Sequence, residues 1–411
     1  MVELQNLNKM KDYTNWIIEN IDYVCKTFGK RPAGSENVRK ATAYMAGLLA
    51  KWADETQTEK FTMHPMAWPK SFLLQCTSGL LSIVCLWINF FHPSMAVRAV
   101  MLVSLIIWLL SWVCEYILYM RLTDFCYKKK EGENIFAVRK AGKESRQRVI
   151  ICTHADAAYE MPFFLHMKAW LIYLLIIIAD GGLMVLLISA FLDMLGTGGL
   201  LATAGLCVAM SFTACSLVVF LFFINWKVIS PGANDNLTGC FIAISLLKEM
   251  AENKERMEYT DVCCLVTDGE ECGLRGSFAY AELHKQELLD TDSIVIAADT
   301  FHDKRELMVY HRGINFTQKN SLYVCELLRA GAEKCGMELP YTDFFPGATD
   351  AEAFSRCGIR AAALCGNTHK PSRTYHTRYD TPESLDADAI EAARDILKET
   401  IRIYDGMQGQ D

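Results

Sequence analysis

The 16 cysteines of this 411-residue chain include no C-x-x-C pair, so the spacing of a structural zinc site or a dithiol redox pair is missing. They are scattered, several fall inside apolar runs, and they read as reduced, buried thiols. Clustered positive charge is scarce as well. A net charge of −7, with no polybasic stretch beyond Lys128-Lys129-Lys130, argues against nucleic acid as a partner. The opening residues, Met1 to Lys9, lack the apolar core of a secretory signal, so nothing there predicts export.

Apolar residues, by contrast, are in excess: 52% of the chain, with a mean hydropathy of +0.13, is more than an ordinary soluble enzyme carries. Four segments, at about 71–91, 97–120, 170–192 and 198–225, account for it, each near the roughly 20 residues that cross a bilayer as a helix. They pair as two hairpins. Trp68, Trp87, Trp108, Trp112, Trp170 and Trp226 lie in or beside them, several near segment ends, as an interfacial belt requires. Asp180, followed by Gly181-Gly182, falls midway along the third segment; a carboxylate facing lipid is costly, which leaves a packing or kink role or a substrate path.

Basic residues are distributed unevenly about these segments. The flanks shared with the polar part carry Lys70, Arg121, Lys128, Lys129, Lys130, Lys168 and Lys227, whereas the far turns have only Arg98, which predicts a cytoplasmic polar part. Two glycosylation triplets, Asn236-Leu237-Thr238 and Asn315-Phe316-Thr317, point the other way and are discounted as chance occurrences.

The polar part alternates helical and strand patterns. Residues 10–55 read as two helices joined by Phe28 to Ser35, with Ser35 capping the helix that carries Ala41, Tyr44, Met45, Leu48 and Leu49; residues 56–64 read as a strand. Asn134–Val138 and Val149–Cys152, turning at Ala141-Gly142-Lys143, read as a hairpin whose second strand delivers His154. Val262–Val266, Ser293–Asp299 and Ile359–Leu364 read as buried strands, 318–336 and 386–405 as helices. The turn after the first of these buried strands, Thr267-Asp268-Gly269-Glu270-Glu271-Cys272-Gly273-Leu274-Arg275-Gly276-Ser277, puts two adjacent carboxylates where open α/β sheets keep their chemistry. Neighbouring residues leaving a strand point different ways, so one of Glu270 and Glu271 suits a metal and the other a reacting water.

Five short stretches, in order, resemble the M28 family of zinc peptidases, which includes aminopeptidases of the bacterial leucyl type. They are Cys152-Thr153-His154-Ala155-Asp156, Pro231-Gly232-Ala233-Asn234-Asp235-Asn236, the Glu270-Glu271 turn, Ala297-Ala298-Asp299, and Tyr375-His376-Thr377-Arg378-Tyr379-Asp380-Thr381. Arg31-Pro32-Ala33-Gly34-Ser35 is similar to the family's N-terminal turn and otherwise reads as a helix joint; Thr349-Asp350-Ala351-Glu352-Ala353-Phe354 is similar to a motif in which Asp350 shapes the site, though the family's proline is missing.

The resemblance implies a mixed β-sheet sandwiched by helices, of the zinc-exopeptidase type, and the apolar segments are expected to interrupt it as two transmembrane hairpins. The expected division is 1–66, 126–165 and 229–411 for the catalytic domain, with 67–125 and 166–228 as the hairpins, four membrane helices in all. It also implies two Zn2+ ions, with Asp235 bridging, His154 and Asp299 completing one ion, and Glu271 and His376 the other. Asp156 would stand behind His154 and fix its tautomer, the Asp235–Asn236 bond would be cis, and Glu270 would be the general base. Two metals lower the pKa of a shared water toward neutrality; the base takes its proton and passes it to the departing amine. The implied substrate is a peptide losing N-terminal residues, and Arg312 stands alone as a sign of carboxylate recognition. Glutaminyl cyclisation on one zinc, a non-catalytic membrane scaffold, and a transporter built around Asp180 are the rival readings.

Overall fold

The computed structural model describes residues 2–407 except 197–198, 200–202, 344–345 and 367–372. The chain divides into two units, one made of Met1–Pro65, Lys129–Glu160 and Lys227–Asp411, the other of Met66–Lys128 and Met161–Trp226.

Eleven strands are assigned among the described residues: β1 (Glu55–Met63), β2 (Lys130–Arg139), β3 (Gln147–His154), β4 (Tyr159–Glu160), β5 (Asn225–Ile229), β6 (Thr260–Thr267), β7 (Ser293–Phe301), β8 (Met308–Gly313), β9 (Gln318–Lys319), β10 (Tyr341–Asp343) and β11 (Arg360–Gly366). Nine of them form one sheet in the order β1-β2-β6-β3-β7-β11-β8-β10, with β9 beside β8; β4 and β5 make a separate pair. The β6-β3-β7-β11 centre is parallel, β2 and β8 flank it antiparallel, and β1 pairs antiparallel with β2, so the sheet is mixed.

One expectation fails here. β2 and β3 do not form a hairpin, because β6 lies between them, antiparallel to β2 and parallel to β3. The turn at Ala141-Gly142-Lys143 bonds instead to the approach to β6, with Gly142 N donating to Met257 O and Lys143 N to Glu258 O. Adjacent strands in sequence with a polar turn satisfy the local signal for a hairpin equally well. Only the long-range pairing of the more apolar β6 decides the order.

The central strands are buried on both faces, which explains their unbroken apolar runs. Val149 and Ile151 of β3 point into one core with Val262, Cys264 and Ile296, packed under helices that include Gly239–Glu252 and Ala387–Met407. Ile150 and Cys152 point into the other, with Tyr280, Ala281 and Phe354. Helices on both faces of a sheet make a three-layer α/β unit. The last helix buries Ile390, Ala393, Leu397, Ile401 and Tyr404 at helical spacing, and its one buried cation, Arg394, pairs with Glu249. Ser35 caps Glu36–Leu49 as expected, accepting from Val38 N.

The second unit contains the helices Ala67–Phe91, Met95–Leu110 (continued by a π-helical turn, Ser111–Ile117), Ala169–Met194 and Ala204–Phe220. Three helices among the described residues, Ala67–Phe91, Met95–Ile117 and Ala169–Met194, are long and apolar enough to cross a membrane. The fourth apolar helix is shorter, and residues 198 and 200–202 of the expected segment 198–225 lie outside the described residues. Large side chains such as Val84, Phe91, Ile177 and Phe212 face outward, while Ser71, Gly79, Ser82, Ser104, Thr213 and Ser216 lie inside. Thr213 Oγ1 and Ser216 Oγ donate across to the carbonyls of Ile178 and Leu175, 3.2 and 2.7 Å away. The helix through Asp180 is unbroken, and Gly182 meets Thr213 so closely that a Cβ would stand 1.9 Å from its hydroxyl oxygen. Trp108 departs from the expected belt. It is fully buried and stacks on Trp112, beside Asp180.

Candidate metal centre

Strand register assembles the site. His154, the last residue of β3, is level with Thr267, the last of β6, so the Asp268–Glu271 turn begins beside it; Asp299 lies near the same end of β7, whose Ala297 pairs with Cys152. These are the C-terminal ends of parallel strands, the position an α/β sheet leaves open for chemistry.

The remaining ligands come from two turns. Ala233–Thr238 is irregular, with non-helical backbone at Asp235 and Asn236 and a cis bond between them. It is stitched to the end of β7: Asn236 Nδ2 donates to Ala298 O at 2.9 Å, and Asn234 Oδ1 accepts from Phe301 N at 2.9 Å. Asp380 holds it from the other side, accepting from Asn234 N at 2.7 Å and Asp235 N at 3.1 Å, and this brings in His376, four residues earlier. Asn236 and Asn315 are both buried, so neither glycosylation triplet presents its amide to solvent.

All five sequence-nominated ligands and Glu270 converge. His154 Nε2 lies 3.3 Å from Asp235 Oδ1, 3.8 Å from Asp299 Oδ1 and 3.9 Å from Glu270 Oε2. His376 Nε2 lies 3.0 Å from Asp235 Oδ2 and 3.4 Å from Glu271 Oε2. Two metal-sized groups result, His154–Glu270–Asp299 and Asp235–Glu271–His376, with the Asp235 carboxylate reaching from one to the other.

These residues fit a metal pair. His154 Nε2, Asp235 Oδ2 and Glu271 Oε1 are buried with no hydrogen-bond partner. A buried acceptor without a partner costs on the order of 1–3 kcal/mol, so several in one place aimed inward indicate atoms built to face cations. Imidazole nitrogen and carboxylate oxygen are also the donors zinc takes.

The electrostatics agree. Burial and the crowding of Asp235 hold Glu271 protonated far above the usual carboxylate range; burial and the charges of Glu271, Asp350 and Asp299 do the same for Glu270, although His154 opposes both shifts. Burial alone would lower the His154 pKa, but Glu270, Asp156, Asp235 and Asp299 outweigh it and raise it well above its ordinary value. Asp235 moves the other way: despite burial, the two imidazoles hold its carboxyl well below the ordinary range.

Asp156 is placed behind His154, with its carboxylate 3.5 Å and its backbone carbonyl 3.2 Å from Nδ1. It also does something the sequence did not disclose. Its two oxygens accept from the backbone N–H groups of Glu270 and Glu271, at 3.2 and 3.1 Å, so one carboxylate orients both a histidine and the acidic turn. In the sequence Arg31 reads as part of a helix joint similar to the family's N-terminal turn, with no partner indicated. Fully buried, it donates to the carbonyls of Ala155 at 3.0 Å and Gly232 at 2.9 Å, clamping the loops after His154 and before Asp235.

In the sequence Tyr375 reads only as the residue before His376. Its ring stacks on that imidazole at 4.0 Å, and burial with the charges of Asp235, Glu271, Asp299 and Glu270 drives the phenol pKa up, so it stays a proton donor. Asp350 is buried, accepts from Thr267 Oγ1 at 3.1 Å, and leaves Oδ1 without a partner; burial pushes its carboxyl up to about 6. Arg312 is not gathered into either group, and stands 3.6 Å from the Asp343 carboxylate.

Comparison with known proteins bears on this geometry. No curated protein sequence matches the chain. Among solved structures, it is similar to a glutaminyl cyclase from an Acidobacteriales bacterium (14% identity, TM-score 0.55, covering 96% of this chain and 95% of that one). It is similar as well to an aminopeptidase from Aneurinibacillus sp. strain AM-1 (13% identity, TM-score 0.55, 95% and 93% covered) and to a zinc aminopeptidase from Bacillus subtilis (15% identity, TM-score 0.54, 96% and 95% covered). At these identities the likeness establishes the fold, a central mixed sheet flanked by helices as in the zinc exopeptidases. The family model described as Peptidase family M28 matches residues 134–401, which span His154, the acidic turn and His376, and the chain therefore belongs to peptidase family M28.

Proposed function

We propose that the chain is a membrane-bound di-zinc exopeptidase that hydrolyses N-terminal residues from peptides. The observation that carries this reading is the Asp235 carboxylate, one oxygen toward His154 and the other toward His376, which joins two ligand groups into one centre. Asp235 would be shared, His154 and Asp299 would hold one ion, and Glu271 and His376 the other. The ions, when bound, would polarise the scissile carbonyl and make a water acidic enough to attack near neutral pH.

The chain's own residues supply the remainder. Glu270, whose backbone is fixed by Asp156, accepts the proton of the attacking water and returns it to the leaving amine. Tyr375 donates its phenolic hydrogen to the oxygen that gains charge as the carbonyl becomes tetrahedral. Asp156 keeps the Nδ1 side of His154 engaged, so that Nε2 faces the centre.

The membrane part of the reading rests on the large apolar side chains that face outward, while small hydroxyl-bearing ones lie inward among Leu86, Leu105 and Leu183, the pattern of helices in lipid. Chain return supports four crossings. Met63 pairs with Lys130 across the first insertion, and His154 meets Asp235 across the second, so each insertion begins and ends on one side. Ala204–Phe220, at ~1.5 Å per residue, spans roughly 26 Å, close to the ~30 Å of a bilayer core. On the far side Arg98 is paired with Asp193 at 2.7 Å, leaving the basic excess on the flanks of the catalytic unit and favouring a cytoplasmic orientation.

Glutaminyl cyclisation remains a second reading because the fold likeness to a cyclase equals that to aminopeptidases. A full set of five ligands favours hydrolysis. The test is zinc content together with aminoacyl-arylamide turnover and pyroglutamate formation, for wild type and Glu270→Gln. Two ions in both proteins, with arylamide turnover lost only in the variant, is the expected result. Pyroglutamate formation without arylamide hydrolysis would replace the proposal with the cyclase reading.

A further inference from the structure

His376 adopts a left-handed backbone, φ 52°, which a side-chain-bearing residue holds only where its surroundings over-determine it. Two clamps grip its segment. One is Asp380, on the turn of Asp235. The other is Glu160, a fully buried carboxylate. Arg378, two residues beyond His376, donates to it bidentately, Nε to Oε1 at 2.6 Å and Nη2 to Oε2 at 2.7 Å, and the backbone N–H of Arg378 adds a contact of 3.3 Å to Oε1. Backbone and side chain of one residue thus fasten on the same carboxylate, a geometry more restrictive than a surface ion pair. Neither residue belongs to a ligand group.

Glu160 ends the stretch that starts at His154, and the next residue, Met161, opens the second apolar insertion. The pair therefore ties the His376 segment to the short stretch following His154, while Asp380 ties it to the turn that carries Asp235. Asp380 anchors the far end of this segment and the buried Thr377 knits it internally, its N–H donating to Thr374 O and its Oγ1 accepting from Tyr379 N at 3.2 Å; Arg378 adds a side-chain tie to the stretch after His154.

We infer that Glu160 and Arg378 are a positioning pair for His376, setting the affinity of the Asp235–Glu271–His376 group for its metal while leaving the His154 group untouched. The inference rests on the di-metal reading above. It separates two functions that a single structural prop would merge: fold stability, carried by the sheet and its helices, and the second metal's affinity, carried by this contact.

The experiment is a zinc titration of the full-length chain in detergent against a chromophoric chelator, with thermal melts of the same samples, for wild type, Arg378→Ala, Arg378→Lys and Glu160→Gln. The expected result is two ions for wild type. In Arg378→Ala, one ion stays at wild-type affinity and the other weakens on the order of 10-fold or more, as for residues that orient a ligand from behind. Arg378→Lys, which keeps the charge but not the fork, should fall between, and saturating zinc should restore Arg378→Ala turnover. Zinc-loaded Glu160→Gln, which strands no buried charge, should melt with wild type, whereas Arg378→Ala leaves the buried Glu160 carboxylate without its guanidinium and should melt lower. Equal weakening of both ions, or a lowered melting temperature with both affinities intact, would overturn the assignment. A wild type that binds no zinc would instead overturn the metal reading, and the pair's role with it.

Discussion

His376 Nε2 lies 3.0 Å from Oδ2 of Asp235, and this contact joins the end of the catalytic unit to its middle. Asp235 would otherwise serve His154 alone. Through it, residues contributed by β3, the acidic turn, β7 and a late loop meet at one site.

Removing metal should destabilise the protein in a pH-dependent way. In the metal-free chain His154, Glu270 and Glu271 hold protons well above their ordinary pKa values, so the folded state binds more protons than the unfolded one. Stability from such groups is present below the unfolded pKa and is lost as pH rises through the folded one. Asp235 has the opposite sign, but above about pH 5 it is ionised folded or unfolded and adds no slope. The chelated protein should therefore melt lower at pH 8 than at pH 6, with zinc-loaded protein much flatter over that range. Zinc binding at pH 7 should release protons, read as a buffer-dependent enthalpy by calorimetry. Proton uptake would contradict the raised values.

Tyr375→Phe should keep both metals and lose rate. Deleting one donor to a developing oxyanion costs about 10- to 100-fold or somewhat more, and the loss should appear in kcat with KM within about 3-fold. A change confined to KM would move Tyr375 from the transition state to substrate binding.

Gly239→Ala should be costly. A Cβ there would stand 2.2 Å from the Ala298 carbonyl oxygen and 2.5 Å from Asn236 Oδ1, at the join of the helix Gly239–Glu252 and β7. Overpacking of this kind costs roughly 1–3 kcal/mol, so the melting midpoint should fall by several degrees, with zinc affinity falling too because Asp235 and Asp299 flank the contact. A midpoint unchanged from wild type would show that the junction can open freely.

Orientation can be read from thiols. Cys126 is exposed on the flank shared with the catalytic unit, and Cys215 is exposed on the apolar helix Ala204–Phe220. An impermeant maleimide should label Cys126 in inverted vesicles and not in intact cells, with Cys126→Ser as control, while Cys215 should react only after detergent. Labelling of Cys126 from outside intact cells would reverse the topology.

Much of the candidate centre could be read before any coordinates, since the short stretches that carry His154, Asp235, Glu270, Glu271, Asp299 and His376 resemble, in order, the motifs of the M28 family. The apolar insertions were equally plain, because a run of about 20 apolar residues leaves few alternatives. What escaped was whatever depends on reach across the fold. Arg31 looks like a loop residue until its guanidinium is seen between two carbonyls 124 and 201 positions away. Tyr375 looks like the neighbour of a ligand until its ring is seen against the imidazole. The order β2-β6-β3 escaped for the same reason: strand partners are chosen by apolar faces brought together from distant segments, and a polar turn between two strands says nothing of what slips between them.

The amino-acid sequence by itself determined the order of the candidate histidines and carboxylates, nominated through motifs that resemble a known family, and that two apolar insertions interrupt them, because residue type and spacing carry both. Tertiary structure alone decided that the Asp235 carboxylate faces two histidines 222 positions apart in the chain, that Asp156 orients the acidic turn as well as His154, and that Glu160 meets Arg378. Direction is the reason: a carboxylate's role is set by what its two oxygens face, and that follows from strand register and loop closure.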